Sequence, residues 1–241
     1  MARHGSGRAG RWPVQLRFAT QSITGEEYVT SRVWERARIQ CCPLHPQGGC
    51  GFAAHGTYAR VDPPGTRIRR WYCRLAGVTF SALPDCLCAR LSGTLHKVER
   101  EVLRVESAGS LAAAVRQARC EIELPGALRY FGRRVRSIHQ ALQAIKGLVP
   151  QTFAASLATV TDFAHALELG SADIESSRPT DPVLVRLRQR VWPYLAALPT
   201  PLGLNPAPNK AGQPMAGPQH RTGADRPVVV VDPPGCPGQS P

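Results

Sequence analysis

The stretch that decides the fold runs from Cys41 to Pro84 and reads CCPLHPQGGCGFAAHGTYARVDPPGTRIRRWYCRLAGVTFSALP. Its first part carries cysteine and histidine at short spacing. Its second part carries two segments, GTYARV and TRIRRWYC, in which polar and apolar residues alternate as in half-buried β-strands. The segments are joined by Asp-Pro-Pro-Gly at 62–65, a composition that favours a turn. The sequence therefore predicts a β-hairpin preceded by a group of metal-ligand residues.

Four residues of this stretch have the types and spacing of a zinc site. Cys42 and His45 form a Cys-x-x-His pair, Cys50 follows a Pro/Gly-rich turn, and Cys73 ends the predicted hairpin. Zinc takes four tetrahedral donors, usually cysteine thiolate or histidine nitrogen. A module this short has little apolar surface to bury, so a structural zinc ion would supply stability that the core lacks.

The second half of the ligand pattern departs from a zinc ribbon. Such a ribbon ends in a second Cys-x-x-Cys, whereas this chain has Ala76 three residues after Cys73. Three outcomes stay open: the four residues form a complete set, Cys41 or His55 replaces one of them, or the site is lost and the cysteines belong to the core. Cys86 and Cys88, which follow the hairpin, are expected to be core residues.

A larger set of residues carries a family resemblance: Cys42-Pro43, His55-Gly56-Thr57-Tyr58, Arg60, Pro64-Gly65, Ile68, Arg70, Cys73 and Thr79-Phe80-Ser81-x-Leu83-Pro84. In these residues the chain resembles the N-terminal zinc ribbon of bacterial insertion-sequence transposases, and short transposase-related proteins that carry only the DNA-binding part. The resemblance covers residues 41–90 well and the following helical region loosely. It implies that the metal is structural and that the module helps to bind the DNA of a mobile element.

The charge of the chain points to a polyanionic partner. The 241 residues include 30 Lys and Arg against 17 Asp and Glu, a net charge of +13. No stretch approaches the roughly 20 apolar residues of a membrane helix. Residues 1–12 form a basic arm that no apolar signal-type segment follows. We therefore expect a cytoplasmic protein with no membrane partner, whose cysteines are reduced or metal-bound.

The domain organisation follows from the change in pattern along the chain. Residues 1–40 are read as a basic arm and short strands, 41–92 as the zinc-ribbon-like module, 93–198 as a helical domain, and 199–241 as a Pro/Gly-rich tail without fixed structure. The predicted fold class is α+β: a hairpin module, then a helical region with a helix-turn-helix, then the disordered tail.

Helical spacing of apolar residues begins after Thr94, which is the expected N-cap of the first helix. Ser110 is expected to cap a short second helix, and a longer helix is expected at about 126–146. Further helices are predicted at 151–169 and from Asp181-Pro182, with Asp181 as N-cap and Pro182 as first helical residue, the last helix kinked or shortened by Pro193.

The short helix followed by a basic amphipathic helix is typical of a helix-turn-helix. The polar side of the long helix carries arginine and glutamine but no acidic residue. We expect it to contact DNA phosphates, together with arginines of the hairpin. The candidate DNA-binding residues are Arg67, Arg69, Arg70, Arg129, Arg133, Arg134, Arg136 and Gln140.

The sequence favours a non-catalytic protein. It has no phosphate-binding GxxxxGK loop, no Gly-x-Ser-x-Gly and no His-Glu-x-x-His. The acidic residues Asp62, Asp85 and Asp162 lie in turn or helix settings that do not suggest a two-metal site. The resulting hypothesis is a transposase-related protein that binds duplex DNA, with a second copy or a separate transposase as further partners. The alternatives are a metal-stapled protein-interaction adaptor and a degenerate mobile-element fragment.

Overall fold

The computed structural model describes residues 14–20, 23–118, 124–169 and 181–204. Four strands form one mixed sheet in the order β1-β4-β3-β2. The strands are β1 (Val14–Phe18), β2 (Ala53–Ala59), β3 (Arg67–Cys73) and β4 (Val78–Pro84). The predicted hairpin is confirmed, since β2 and β3 pair antiparallel with Ala59 opposite Arg67. β4 continues the meander, while β1 pairs with β4 in the parallel direction.

The described residues before the hairpin form one strand, a short α-helix and a 3-10 turn at Val33–Glu35, although the sequence predicted only strands there. Helix α1 (Gly25–Thr30) begins with a capping box. The hydroxyl of Thr24 accepts a hydrogen bond from Glu27 N at 3.1 Å, and the Glu27 carboxylate accepts one from Thr24 N at 2.7 Å. This reciprocal pairing satisfies backbone donors that a helix otherwise leaves open, and it fixes the start of the helix.

The helical region is built of α2 (Leu95–Ser107), α3 (Leu111–Gln117), α4 (Leu124–Leu148), α5 (Pro150–Phe153), α6 (Val160–Leu169) and α7 (Val183–Arg190). Two predicted N-caps are confirmed, since Thr94 accepts from Lys97 N at 3.0 Å and Ser110 accepts from Ala113 N at 3.1 Å. The third is wrong, because the N-cap of α7 is Pro182 and not Asp181. α7 ends before Pro193, and a short 3-10 turn follows at Trp192–Tyr194. The α+β class is therefore confirmed.

The helix predicted at 151–169 is divided into α5 and α6. A carboxylate of α2 explains where the second one begins, because Glu106 accepts hydrogen bonds from Val160 N (2.9 Å) and Thr161 N (3.2 Å). A neighbouring carboxylate of α2, Glu99, accepts in the same way from Leu184 N at the start of α7, at 2.8 Å. Two glutamates of one helix thus anchor the first turns of two others.

Residues 199–204 belong to the fold, whereas the sequence placed them in the tail. Leu202 is fully buried. The buried guanidinium of Arg188 donates a hydrogen bond to its carbonyl oxygen at 3.1 Å. The predicted disorder of residues 205–241 and the predicted basic arm at 1–12 lie outside the described residues.

The two faces of the sheet contribute to different apolar clusters. On one face, Ile68 and Leu83 pack with α2, α4, α6 and α7 in the main core. On the other face, Trp71 and Phe80 pack with a smaller cluster that includes Cys42, Cys50 and Cys73. Successive side chains of a strand alternate between faces, which accounts for this division. We call the second face, with the segment 36–50 that covers it, the metal side.

Candidate metal centre and basic surfaces

Four predicted ligands come together on the metal side. The ligand atoms of Cys42, His45, Cys50 and Cys73 all lie within 4.8 Å of one another. The Sγ atoms of Cys42 and Cys73 each lie 3.5 Å from Nδ1 of His45. Donors bound at about 2.0–2.3 Å in a tetrahedron are separated from each other by roughly 3.3–3.8 Å. The group is therefore compact enough to hold a metal ion.

Tight turns of the chain create this convergence. His45 N donates to the carbonyl of Cys42 at 3.0 Å, which closes the first turn. Gly48 and Gly49 both have positive φ, 84° and 74°, a conformation that glycine adopts without steric cost. The chain consequently reverses and returns Cys50 to the pair. Leu75 N then donates to the carbonyl of Cys50 at 3.2 Å, so that Cys50 lies beside the end of the hairpin.

Cys50, and not position 76, provides the fourth potential ligand of the group. Ala76 has no ligand atom, but its backbone N–H donates to Sγ of Cys73 at 3.4 Å. A second Cys-x-x-Cys would have supplied the fourth donor from this position. Of the open alternatives, the complete set is the one that the geometry supports, since neither Cys41 nor His55 belongs to the converging group.

The burial of the four candidate ligands favours the binding of a cation. The three cysteines are buried, and His45 is half-buried. Burial raises the pKa of the Cys42 thiol to about 12, while backbone hydrogen bonds from Leu44 and His45 act in the opposite direction. A bound cation would remove this cost, because coordination deprotonates a thiol and balances the charge of the thiolate.

The remaining buried cysteines behave as core residues, as the sequence predicts. Cys86 and Cys88 lie in the main core on the far side of the sheet from the metal group. Burial raises the pKa of Cys86 to about 12 and that of Cys88 to about 11. Both side chains are therefore neutral thiols that fill space.

The long helix α4 exposes a row of basic side chains. Arg129, Arg133, Arg136 and Gln140 recur at helical spacing and are all exposed. The opposite side of α4 is buried, with Ile138 in the main core. No acidic residue occurs in α4. Within the part of the chain that the structure describes, the three arginines form no ion pair. We call these four residues the α4 row.

Arg134 does not belong to this row, although its place in the basic helix predicts a contact with DNA. Its side chain is 2% exposed and forms an ion pair with Glu101 of α2, with 3.1 Å between Nε and Oε2. A second nitrogen donates to the carbonyl of Ser92 at 3.0 Å, and the guanidinium lies 4.1 Å from the ring centre of Tyr130. Arg134 therefore joins α4 to α2 and is not available to DNA in this conformation.

The three hairpin candidates divide between the faces of the sheet. Arg67 is exposed and Arg69 half-buried, and both share the metal side with Trp71 because they alternate along β3. Arg70 lies on the opposite face, where its guanidinium is 5.7 Å from the ring centre of Tyr58. The strand thus contributes two of its three arginines to the metal side.

Sequence reasoning missed three further arginines of the metal side. Arg36 and Arg38 are exposed, while the alternating residues Ala37 and Ile39 are buried in the metal-side cluster. Arg74, also exposed, lies over Gly51 beside the metal group. The alternation of polar and apolar residues in the segment RARIQ at 36–40 could have predicted that these arginines are exposed. We call Arg36, Arg38, Arg67, Arg69 and Arg74 the metal-side arginines.

Comparison with known proteins finds no matching family model, no matching curated protein and no matching solved structure. Among the helices of the described residues, none combines the length and the apolar composition that crossing a membrane requires.

Proposed function

We propose that this chain is a non-catalytic protein that contains a structural zinc ion and binds duplex DNA. We propose further that it is related to the DNA-binding part of bacterial insertion-sequence transposases. Its partner is DNA, with a second copy or a separate transposase as a further partner, and its compartment is the cytoplasm. The observation that carries the proposal is the α4 row, an exposed line of arginines on a helix without acidic residues.

The chemistry of the α4 row fits a nucleic acid. Arginine donates to phosphate oxygens and to guanine edges in a planar, bidentate geometry, and glutamine can pair with adenine. Helix α3 packs against the N-terminal half of α4 through Val115, Ala127 and Phe131. A short helix that supports the start of a longer basic helix is the arrangement expected of a helix-turn-helix.

The metal group supports the same proposal from the other side of the sheet. Zinc at Cys42, His45, Cys50 and Cys73 would hold the covering segment against the hairpin, and it would leave no open coordination position for catalysis. Its role is therefore structural: the ion orders a basic surface that the small metal-side core holds weakly.

The α4 row is tested by a triple variant, Arg129→Ala with Arg133→Ala and Arg136→Ala. Fluorescence anisotropy with a labelled duplex is measured across a salt series. Each lost phosphate contact lowers the slope of log K against log salt by about 0.9, so the slope of the triple variant should fall by roughly three. The control Arg100→Ala with Arg104→Ala removes charge from α2, which also carries carboxylates, and should leave the slope nearly unchanged.

Equal affinity and equal slope for wild type and the triple variant would overturn the assignment of α4 to DNA. A matching change in the α2 control would show that only total charge matters, which would also overturn it. Circular dichroism of each variant establishes that the comparison is made between folded proteins.

A further inference from the structure

The metal side carries a second basic surface that is separate from the α4 row. From Arg36 to Pro84 the chain contains one acidic residue, Asp62, and its carboxylate is paired with Lys97 at 2.6 Å. The nearest acidic residues on either side are Glu35, whose exposed carboxylate lies 3.9 Å from Arg32, and Asp85, which is paired with Arg17, so positive charge predominates in this segment. Such an excess of positive charge attracts a polyanion and is strongest at low salt.

The sheet lies between this surface and the α4 row. On one face of the sheet, Trp71 and Phe80 pack in the cluster that contains the cysteines of the metal group. On the other face, Ile68 and Leu83 pack against the helical core. α4 turns its buried side toward that core and its basic row away from it. The two surfaces are therefore separated by the sheet and by the main core.

We propose that one chain holds two duplex DNA segments at the same time, the first on the α4 row and the second on the metal-side arginines. This inference rests on the proposed function. A straight duplex follows one side of a small protein, and bending it around the molecule costs several kcal/mol for a short site. Two segments therefore fit the placement of charge better than one.

The metal centre gives the second surface its shape. Arg74 follows the ligand Cys73 directly, and its side chain packs on Gly51, which follows the ligand Cys50. The segment that carries Arg36 and Arg38 is held by the buried Ala37 and Ile39. These arginines are thus fixed by the elements around the metal group, so that removal of the metal should weaken the second surface before the first.

The test is a bridging assay. A biotinylated duplex on beads captures a fluorescent second duplex only where the protein joins them. Three variants, each with two arginines replaced by alanine, are compared with wild type: positions 133 and 136 on α4, positions 67 and 74 on the metal side, and positions 100 and 104 on α2 as a control. All the chosen side chains except Arg104 are exposed, so folding should be retained.

Wild type and the α2 control should bridge, and both other variants should lose bridging by roughly tenfold or more at low salt, because two phosphate contacts are removed. Each of these two variants should still bind a single duplex through its intact surface. Native mass spectrometry should detect one wild-type chain with two duplexes.

Three results would overturn the inference. Wild type could bind one duplex without capturing a second, which would leave the proposed function intact. The metal-side variant could bridge as well as wild type, which would assign bridging to a dimer that uses α4 alone. Absence of any duplex binding by wild type would overturn the proposed function and the inference together.

Discussion

The two faces of the sheet differ in the interactions that stabilise the layer covering them: the helical side, which packs on the main core, and the metal side. The helical side has a continuous core that runs from Ile68 and Leu83 to Leu142 and Phe163, with most members fully buried. The metal-side cluster has eleven buried residues, and three of them are the cysteines of the metal group. The difference teaches that apolar burial holds one layer, and we infer that a metal ion helps to hold the segments of the other layer together.

Loss of a metal ligand should have the largest effect on the molecule. Cys73→Ala removes a donor at the centre of the group, and structural zinc contributes binding free energy on the order of 10 kcal/mol in small modules. We expect the metal side to lose its fixed structure, seen as a lower thermal midpoint and a changed emission of the buried Trp71. A chelator should produce the same change in wild type and little change in the variant.

A matched substitution in the helical core separates this effect from ordinary destabilisation. Leu142→Ala removes a fully buried side chain and should cost about 2–5 kcal/mol without loss of metal. An unchanged midpoint in Cys73→Ala, or loss of metal in Leu142→Ala, would contradict the contrast between the two sides.

The neighbouring arginines Arg133 and Arg134 should respond in opposite ways. Arg134→Ala leaves the carboxylate of Glu101 without its buried partner, and breaking such a pair costs about 3–5 kcal/mol. Arg133→Ala removes an exposed side chain and should change stability by less than about 0.5 kcal/mol.

Urea unfolding and DNA affinity are measured for both of these variants. Arg134→Ala should be the less stable protein, and Arg133→Ala should bind DNA more weakly with a lower salt slope. If Arg134→Ala weakened DNA binding while keeping full stability, the assignment of this residue to the helix interface would be wrong.

The smallest effect concerns the buried carboxylate of Glu99 at the start of α7. Burial raises its pKa, although hydrogen bonds from Leu184 and Val183 oppose the change. Because the folded protein favours the protonated form, this group contributes stability at low pH, and the contribution is lost as pH rises through the raised pKa. A tenfold change in an acid dissociation constant corresponds to about 1.4 kcal/mol, which sets the scale of the effect.

Glu99→Gln keeps an oxygen acceptor for Leu184 N but does not ionise. Wild type should therefore lose stability relative to this variant as pH increases from about 4 to 7, measured by urea unfolding at each pH. A difference that does not depend on pH would show that the carboxylate is not held in an unfavourable environment. Glu99→Ala, which lacks the acceptor, should be less stable than Glu99→Gln at every pH.

Local signals in the sequence predicted much of the fold. The Asp-Pro-Pro-Gly turn and alternating residues identified the β2–β3 hairpin, and Thr94 and Ser110 marked the starts of α2 and α3. The helix predicted at about 126–146 is likewise close to the observed bounds of α4, Leu124–Leu148. In each case neighbouring residues in the chain supply the stabilising contacts, so that a short window of sequence contains the information.

Features that depend on distant contacts were not predictable in the same way. The break before α6 depends on Glu106, which is 54 residues from Val160. Helical spacing from Phe131 and Ile138 places Arg134 on the buried side of α4, but its ion pair with Glu101 depends on packing against α2, 33 residues earlier in the chain. The parallel pairing of β1 with β4 and the burial of Leu202 likewise join segments that are far apart in the sequence.

The sequence predicted which residues form the candidate site, but not whether they make a complete set of four ligands. The sequence named all four ligands, yet the Cys-x-x-Ala76 segment left open whether the fourth donor was present. The return of Cys50 depends on the turn at Gly48 and Gly49 and on its hydrogen bond to Leu75. Three-dimensional geometry was needed to show that these features bring the thiol to the other three ligands.

The most direct test of the account is the metal content of the purified protein and of two matched cysteine variants. Cys50→Ala removes the donor that compensates for Ala76, whereas Cys86→Ala removes a thiol of similar burial outside the group. We predict one zinc ion per chain in wild type and in Cys86→Ala, and its loss or much weaker retention in Cys50→Ala. A folded wild-type protein without zinc, or a Cys50→Ala variant that retains it as tightly as wild type, would contradict the account.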